Sequence, residues 1–178
     1  MKNPQILILG CNFAGLTTAR YIHEVVKDRA DITIIDRKSL LTFVPNIPMQ
    51  VLADVNPAID LQFKFITFLE QDGSDFIQAD VITIDPETNN VFYQPNEREG
   101  HPVYKIHYDD LVVALGNRLA YDTIPGFTRH GHSVTDVFLG NRLRNYLHKA
   151  YKGGPIAITS AMFHQGKSDK LPSGMPVA

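Results

Sequence analysis

Three positions near the start of the chain have the types and spacing of an anion-binding turn. Gly10, Asn12 and Gly15 follow the pattern G-x-G-x-x-G, with Asn12 at the place of the second glycine. An apolar run at 5–9 precedes the turn and a helical pattern follows it. The N-terminus of a helix presents unpaired N–H groups and the positive end of its dipole, which suit a pyrophosphate. Gly10 permits the tight turn and Gly15 the close approach of helix and strand, whereas Asn12 either displaces the phosphate or donates to it.

An acidic residue stands where a nucleotide ribose would need one. Asp36 closes the second apolar run, at 31–35. A carboxylate at that place accepts hydrogen bonds from an adenosine ribose diol and disfavours a 2′-phosphate, although the neighbouring Arg37 could hold such a phosphate. The order of strand, glycine turn, helix and strand therefore predicts a βαβ unit that binds a dinucleotide. The alternative is a βαβ unit whose glycines only make a turn.

The composition limits the classes of protein to consider. The chain has 178 residues, a net charge of −2 and a single cysteine, Cys11. Without a surplus of cations to neutralise phosphates, no nucleic-acid partner is expected. One cysteine permits no internal disulfide, which favours a reducing compartment such as the cytoplasm. Prolines and charges interrupt the apolar stretches, so no membrane-spanning helix is expected.

The hydrophobic period predicts the elements beyond the βαβ unit. Alternation over three short runs predicts an antiparallel three-stranded meander, since turn clusters separate the runs. Ser133 and Asp136 have the form of a capping box for one more helix. The predicted elements are a proline-containing loop at 40–58, a helix at 59–71, meander strands at 76–84, 91–94 and 103–108, a buried strand at 110–116, a helix from 133 to 152 and a final strand at 156–159.

The residue pattern predicts no metal site and identifies no catalytic residue. His130 and His132 are a close histidine pair, but no cysteine or cluster of carboxylates joins them, and a structural zinc site needs four ligands. A solvated loop before a helix is the simpler interpretation. Asp109 and Asp110 could suggest a carboxylate pair, but adjacent residues in extended chain point to opposite faces, which argues against acid–base cooperation.

Four features together resemble the two-dinucleotide-binding-domain flavoproteins, which are the FAD-dependent pyridine nucleotide-disulfide oxidoreductase superfamily. The first is the glycine turn with Asp36. The second, Leu41-Thr-Phe-Val-Pro-Asn-Ile-Pro48, is similar to the Phe-x-Pro segment of sulfide:quinone reductases and type II NADH dehydrogenases. The third is the inserted meander. The fourth, Tyr108-Asp-Asp-Leu-Val-Val-Ala-Leu-Gly116, is similar to the second FAD fingerprint. The resemblance implies a Rossmann-like α/β domain that binds FAD, incomplete, with a parallel sheet and an inserted antiparallel meander.

The resemblance also implies where FAD would be held. The glycine turn would hold the pyrophosphate, Asp36 the ribose, and Arg37 would lie near the adenosine. The backbone of Val81 would meet the adenine edge, residues 114–116 would run beside the cofactor, and Pro45 would approach the flavin. The implied cofactor-binding residues are Gly10, Asn12, Phe13, Ala14, Gly15, Asp36, Arg37, Pro45, Val81, Ala114, Leu115 and Gly116.

The segment at 155–166 bears on the branch of the superfamily. Type II NADH dehydrogenases carry a second glycine fingerprint there, and this segment has no G-x-G-x-x-G. The stretch from Ser160 to Pro176 is similar to the sulfide:quinone reductases instead, which implies a small reductant, sulfide, and a quinone as partners. Of the redox cysteines of that branch, one would fall near Thr135, where this chain has threonine, and the others would lie beyond Ala178. The alternatives are a type II NADH:quinone oxidoreductase and a non-catalytic nucleotide-binding fragment.

The resemblance implies that the chain is the N-terminal part of a longer enzyme. Residues 1–152 correspond to part of the FAD-binding domain, and residues 153–178 to the first strand and loop of a second dinucleotide-binding-like domain. The further chain would supply the quinone site and peripheral membrane contact, so the full-length protein is expected in the cytoplasm or on a membrane. A homo-oligomer is compatible with these features, and the fragment alone is expected to be inactive.

Overall fold

A computed structural model of the chain describes residues 3–96, 102–117 and 120–158. Its strands are β1 (Gln5–Leu9), β2 (Asp31–Asp36), β3 (Leu40–Thr42), β4 (Gln62–Lys64), β5 (Asp75–Asp85), β6 (Asn90–Pro95), β7 (Tyr104–His107) and β8 (Asp110–Val113). Its α-helices are α1 (Phe13–Val26), α2 (Ile47–Leu52), α3 (Pro57–Asp60), α4 (Ile66–Asp72), α5 (Phe127–His130) and α6 (Val137–Asn145). Short 3₁₀ turns cover Lys27–Arg29, Val44–Asn46 and Tyr121–Thr123, and a π-helical turn, Tyr146–Ala150, continues α6.

A six-stranded sheet in the order β7-β6-β5-β2-β1-β8 organises the fold. Strand β1 pairs in parallel with β2 and with β8, and β2 pairs in parallel with the first half of β5. The second half of β5 pairs with β6 in antiparallel fashion, and β6 then pairs with β7. The α/β class, the parallel sheet and the inserted antiparallel meander are therefore confirmed. The carboxyl ends of β1, β2 and β8 meet at one edge, where ligands bind in open α/β sheets.

Both faces of the central strands are buried, which explains their continuous apolar runs. On one face, Ile8 and Ile34 pack against α1 and α4 through Ala19 and Leu69. On the other face, Leu7, Leu9 and Ile35 pack against residues of the meander, including Val91. The helical stripe expected after the glycine turn is confirmed, since Leu16, Ala19 and Ile22 face the first of these clusters.

The expected loop at 40–58 and the expected helix at 59–71 are both wrong as whole elements. Strands β3 and β4 form a two-stranded sheet in which Leu41 pairs with Phe63, and α2, α3 and α4 occupy much of the remainder. Prolines in a sequence favour a loop, but here Pro48 and Pro57 stand in the first turn of α2 and of α3. Proline is tolerated there, since the first N–H groups of a helix have no intrahelical partner.

The remaining corrections concern ends of elements. Strand β8 ends at Val113, and the following three residues are outside it. Residues 155–158 form no strand in the described stretch that ends at 158, and the side chain of Ile158 is 94% exposed. Thr159 and the tail up to 178 lie outside the described residues. The N-cap of α6 is Asp136, whose Oδ1 accepts from Leu139 N at 2.7 Å, so the cap expected at Ser133 is wrong.

Candidate functional site

Gly10 occupies a position that only glycine can fill. Its φ is +98°, in the left-handed region, and its N–H donates to the carbonyl of Ile35 at 2.7 Å. A Cβ at this position would lie 2.7 Å from the carbonyl carbon of Ala114 and closer still to its oxygen. The turn is thus held between the end of β2 and the residue that follows β8. The role predicted for Gly10 from its spacing agrees with this geometry.

Gly15 brings α1 down onto the turn, and Asn12 begins that helix. A Cβ on buried Gly15 would overlap the Gly10 carbonyl group, so a larger residue would push α1 away. Asn12 has φ −93° and ψ −160°, an extended conformation that does not require glycine. Its carbonyl accepts from Leu16 N at 2.9 Å, but its side chain makes no capping hydrogen bond among the described contacts. The exposed Asn12 carboxamide therefore has donors that a ligand at the helix N-terminus could use.

Asp36 ties the turn to the end of β2. Its Oδ2 accepts from Cys11 N at 2.7 Å, and its Oδ1 accepts from Lys38 N at 2.8 Å. Each carboxylate oxygen has two acceptor sites, so each retains one for a ribose hydroxyl. The ribose role of Asp36 is predicted from its position at the end of the second apolar run, whereas its bond to Cys11 N is not. Leu9 lies opposite Ile35 in the register of β1 and β2, so the following residues Gly10 and Asp36 are neighbours, and the sequence spacing carries no signal of that register.

Cys11 is a packing residue in this turn. Its side chain is fully buried and belongs to the core cluster under α1. Burial, and secondarily the negative charge of Asp36, raise the pKa of the Cys11 thiol to about 12. A thiol with this pKa stays protonated near neutral pH, so Cys11 has little nucleophilic or redox reactivity.

The residues expected around the adenosine lie at the ends of β2 and in β5. The carbonyl of Arg37 accepts from Gln78 Nε2 at 3.2 Å and from Asn96 Nδ2 at 2.7 Å, which fixes the backbone while the Arg37 side chain stays exposed. Asp36 pairs with Gln78 in the register of β2 and β5, so Val81 lies further along β5. The side chain of Val81 packs into the core under the meander, and a register shift follows it.

The residues after β8 run directly past the glycine turn. Ala114 N donates to Leu9 O at 2.8 Å, and the Ala114 carbonyl faces Gly10. Leu115 is exposed, and Gly116 has a φ of +70° with open space where a Cβ would be. Residues 114–116 therefore border the same opening as the N-terminus of α1.

Two aromatic rings connect the turn to the proline segment. Phe13, the first residue of α1, meets Phe43 edge to face, with ring centroids 5.9 Å apart and an interplanar angle of 70°. Both rings are partly exposed, at 46% and 41%. Pro45, in the 3₁₀ turn that follows Phe43, is exposed. The structure thus brings the Pro45 segment to the glycine turn through Phe43, which the predicted set of cofactor residues did not include.

The other polar clusters have structural roles. His132 stacks on Tyr146 at 5.1 Å, and burial, together with the charge of Arg142, lowers the pKa of His132. Asp109 Oδ2 accepts from Gln5 N at 2.7 Å. Within the described residues, no three His, Cys, Asp or Glu side chains are grouped to hold a metal ion. The described helices include none that is both long and apolar enough to cross a membrane.

Known proteins are similar to this chain in sequence. Over 165 residues the chain is 22% identical to a probable NADH dehydrogenase from Dictyostelium discoideum, a match that covers 90% of this chain and 34% of that protein. It is 25% identical to a type II NADH:quinone oxidoreductase from Staphylococcus aureus, with 80% of this chain and 34% of that one covered. The chain therefore spans about a third of the length of these relatives.

Solved structures confirm the incomplete Rossmann-like fold. The sulfide:quinone oxidoreductase from Aquifex aeolicus matches with a TM-score of 0.70 and 22% identity, covering 81% of this chain and 31% of that one. The NDH2 from Plasmodium falciparum matches with a TM-score of 0.66 and 20% identity, covering 81% and 28%. Residues 4–158 match the family described as pyridine nucleotide-disulphide oxidoreductase. The chain belongs to the pyridine nucleotide-disulphide oxidoreductase family.

Proposed function

We propose that this chain is the N-terminal, FAD-binding portion of a flavin-dependent oxidoreductase that passes electrons from a small reductant to a quinone. The observation that carries the proposal is the glycine turn between β1 and α1, which Asp36 fixes through Cys11 N. The glycines permit this turn, because a Cβ at Gly10 would clash with the Ala114 carbonyl and a Cβ at Gly15 with the Gly10 carbonyl. The helix N-terminus at the turn presents the unpaired N–H groups that suit a diphosphate. Family membership supports the assignment of an oxidoreductase.

The surroundings of the turn fit FAD. Residues 114–116 border the turn, and the Phe43–Pro45 segment approaches it through Phe13. These two segments offer a wall beyond the pyrophosphate, where the second half of a dinucleotide would extend. FAD, when bound, supplies two-electron redox chemistry that no protein side chain offers.

The chain's own residues have binding and orienting roles in this proposal. Asp36 would accept the ribose hydroxyls with the acceptor sites left free by Cys11 N and Lys38 N. The N-terminus of α1 and the Asn12 carboxamide would hold the pyrophosphate, and Ala14 would border it. Arg37 and the Val81 backbone would lie near the adenosine, and Pro45 near the flavin. Cys11 takes no redox part, because its buried thiol has a pKa raised to about 12.

The small reductant in the first version of this proposal is sulfide. Its support is the sequence at 160–176, which is similar to that of sulfide:quinone reductases, and the lack of a second glycine fingerprint at 155–166. The quinone acceptor is supported by the names of relatives, among them a demethylphylloquinone reductase from Synechocystis that is 25% identical over 131 residues.

A second version has NADH as the reductant. It is favoured by curated relatives that are named NADH dehydrogenases, including the Dictyostelium and Staphylococcus proteins. A non-catalytic nucleotide-binding fragment remains the alternative of another class.

The division of the chain follows from the same proposal. Residues 1–152 would form part of the FAD-binding domain, and residues 153–178 would begin a second dinucleotide-binding-like domain. Gly153 and Gly154, with φ of +97° and +127°, interrupt the regular backbone conformation at the proposed boundary. The quinone site, membrane contact and any homo-oligomer would belong to a longer protein, so turnover is not expected from this chain alone.

The experiment that tests the proposal is the visible spectrum of the purified chain with stoichiometric FAD, before and after anaerobic additions. A perturbed flavin band that sulfide bleaches and NADH does not would support the first version. Bleaching by NADH alone would favour the second version. A spectrum identical to that of free FAD, with all flavin lost on gel filtration, would overturn the proposal that this chain holds the cofactor.

A further inference from the structure

Helix α2 packs against α6 at Gly140, a residue of α6 that has no side chain. Gly140, in α6, is buried, and a Cβ at that position would lie 2.7 Å from Ile47 Cγ2 and 3.5 Å from Val51 Cγ2. The Cγ atom of Pro57 in α3 would be 3.9 Å away. A separation of 2.7 Å is shorter than carbon atoms tolerate, so any larger residue would move Ile47 or its neighbours.

Ile47 is the first residue of α2, and Pro45 lies two residues before it. The 3₁₀ turn Val44–Asn46 runs directly into α2, so no loop residue separates Pro45 from the start of that helix. Val44 packs in the same apolar cluster as Ile47, Val51 and Val137. A displacement of Ile47 away from α6 would therefore be transmitted to Pro45.

The far end of α2 is fastened to α6 separately. Arg144 Nη1 lies 2.8 Å from Asp54 Oδ1 and donates to the Asp54 carbonyl at 3.3 Å. His148 Nε2 is 3.0 Å from the Val51 carbonyl. Since these polar contacts hold the C-terminal end of α2, and the closest contact of a Cβ at Gly140 would be with Ile47, crowding there would displace mainly the N-terminal end of α2.

The other side of the proline segment reaches the dinucleotide turn. Phe43 contacts Phe13, whose backbone begins α1 at that turn. The segment 43–47 thus spans from the turn to Gly140. By contrast, the bonds of Asp36 to Cys11 and Lys38 lie outside this path.

We propose that Gly140 is a positioning residue for the flavin half of the cofactor. Its missing side chain sets how closely α2 approaches α6, and so where Phe43 and Pro45 lie relative to the glycine turn. The adenosine diphosphate half depends on the turn and Asp36, which a change at Gly140 leaves in place. The inference rests on the proposed function, because it assumes that FAD binds with its flavin toward Pro45.

The test compares the affinities of FAD and ADP in Gly140→Ala, using the whole 178-residue chain and calorimetric titration. Alanine favours a helix over glycine, so any loss of affinity has to come from packing. We expect the preference for FAD over ADP to fall roughly tenfold, because a displaced Pro45 segment would weaken contact with the flavin and leave the turn unchanged. ADP affinity is expected to stay within about twofold of that of the unchanged chain, which is less than 0.5 kcal/mol.

Two further variants separate positioning from general loss of structure. Phe138→Ala changes an exposed ring of the same helix and should leave both affinities unchanged. Ile47→Leu removes the Cγ2 methyl that alanine at 140 would meet, so adding it to Gly140→Ala should restore most of the FAD preference. If Gly140→Ala alone does not fold, the affinities of the double variant for FAD and ADP are compared with those of the unchanged chain instead.

The outcomes distinguish this inference from the proposed function. If the unchanged chain binds ADP and FAD equally, or if Gly140→Ala keeps the FAD preference, Gly140 has no positioning role although the turn binds dinucleotides. Equal losses of ADP and FAD affinity would also overturn the inference. If the unchanged chain binds neither ligand, the proposed function itself is wrong.

Discussion

At the scale of single residues, Asn12 is where this turn differs from the usual glycine pattern. Glycine commonly serves there because a phosphate must approach the backbone closely. Asn12 adopts an extended conformation with negative φ and leaves its carboxamide unused by the helix cap within the described residues. Asparagine is therefore compatible with the backbone conformation at this position. Its side chain takes up space that glycine would leave open for a phosphate, and it offers an N–H donor to that phosphate instead.

The first prediction concerns the chemistry of that side chain. Asn12→Asp replaces a donor with an anion facing the phosphates, so FAD affinity should fall by about tenfold or more, as calorimetric titration would measure. Asn12→Gly, the matched control, restores the space and should change affinity by less than about threefold. Tighter binding by the aspartate variant than by the glycine variant would contradict a phosphate at this position.

The second prediction concerns Cys11 and pH. Because its pKa is raised to about 12 from 9.0, the folded chain keeps a proton that the unfolded chain loses. The stability from this group is fully present below pH 9 and is lost as the pH rises toward 12. Urea unfolding should show wild type losing about 1 kcal/mol more than Cys11→Ala between pH 8 and pH 10. Equal losses in the two proteins would show that the thiol is not held neutral by the fold.

The spacing of glycines predicted the residues of the turn but not all of their bonds. Gly10 and Gly15 could be identified from the sequence because their roles are local. Gly10 adopts a left-handed conformation, and Gly15 lets α1 approach the turn. The bond from Cys11 N to Asp36 depends on the parallel register of β1 and β2, which the spacing alone does not reveal. Phe43 was overlooked for a similar reason, since its contact with Phe13 joins segments that are distant in sequence.

At the scale of elements, regular periods were predictable and short packed elements were not. The meander was found because alternation over β5, β6 and β7 reflects a sheet with one buried face. The region between β2 and β5 was not, because β3 and β4 are three residues long and pair only through tertiary contact. Prolines favour a loop in the sequence pattern of this region, but Pro48 and Pro57 stand in the first turn of α2 and of α3.

The third prediction concerns the start of α6. Asp136 caps this helix at Leu139 N, and its Oδ2 also accepts from Tyr121 OH at 3.2 Å. Asp136→Ala should lower the free energy of unfolding by about 1–2 kcal/mol in urea, while Asp136→Asn should recover most of it. Ser133→Ala should cost less, because the hydrogen bonds of Ser133 among the described residues are to Thr135 and Tyr121 and not to the N–H groups of α6. A larger loss of unfolding free energy for Ser133→Ala than for Asp136→Ala would show that Ser133 caps α6, as the sequence pattern predicted.

At the scale of the whole molecule, the chain carries an open sheet edge and apolar side chains in contact with solvent. Strand β8 lies at the end of the six-stranded order, and Val113 within it is exposed. Ile156 and Ile158, on the segment after Gly154, are also exposed. Exposed apolar surface of this kind marks interaction sites. These features accord with a chain that spans about a third of its relatives.

The central claim is that the turn between β1 and α1 holds a dinucleotide, and amide chemical shifts of the ¹⁵N-labelled chain during titration with FAD test it most directly. We predict that Cys11 to Gly15 and Ala114 to Gly116 shift first and saturate together, with a smaller response at Phe43. ADP should shift the turn without affecting Phe43. Shifts centred elsewhere, or no shifts at millimolar FAD, would contradict the account.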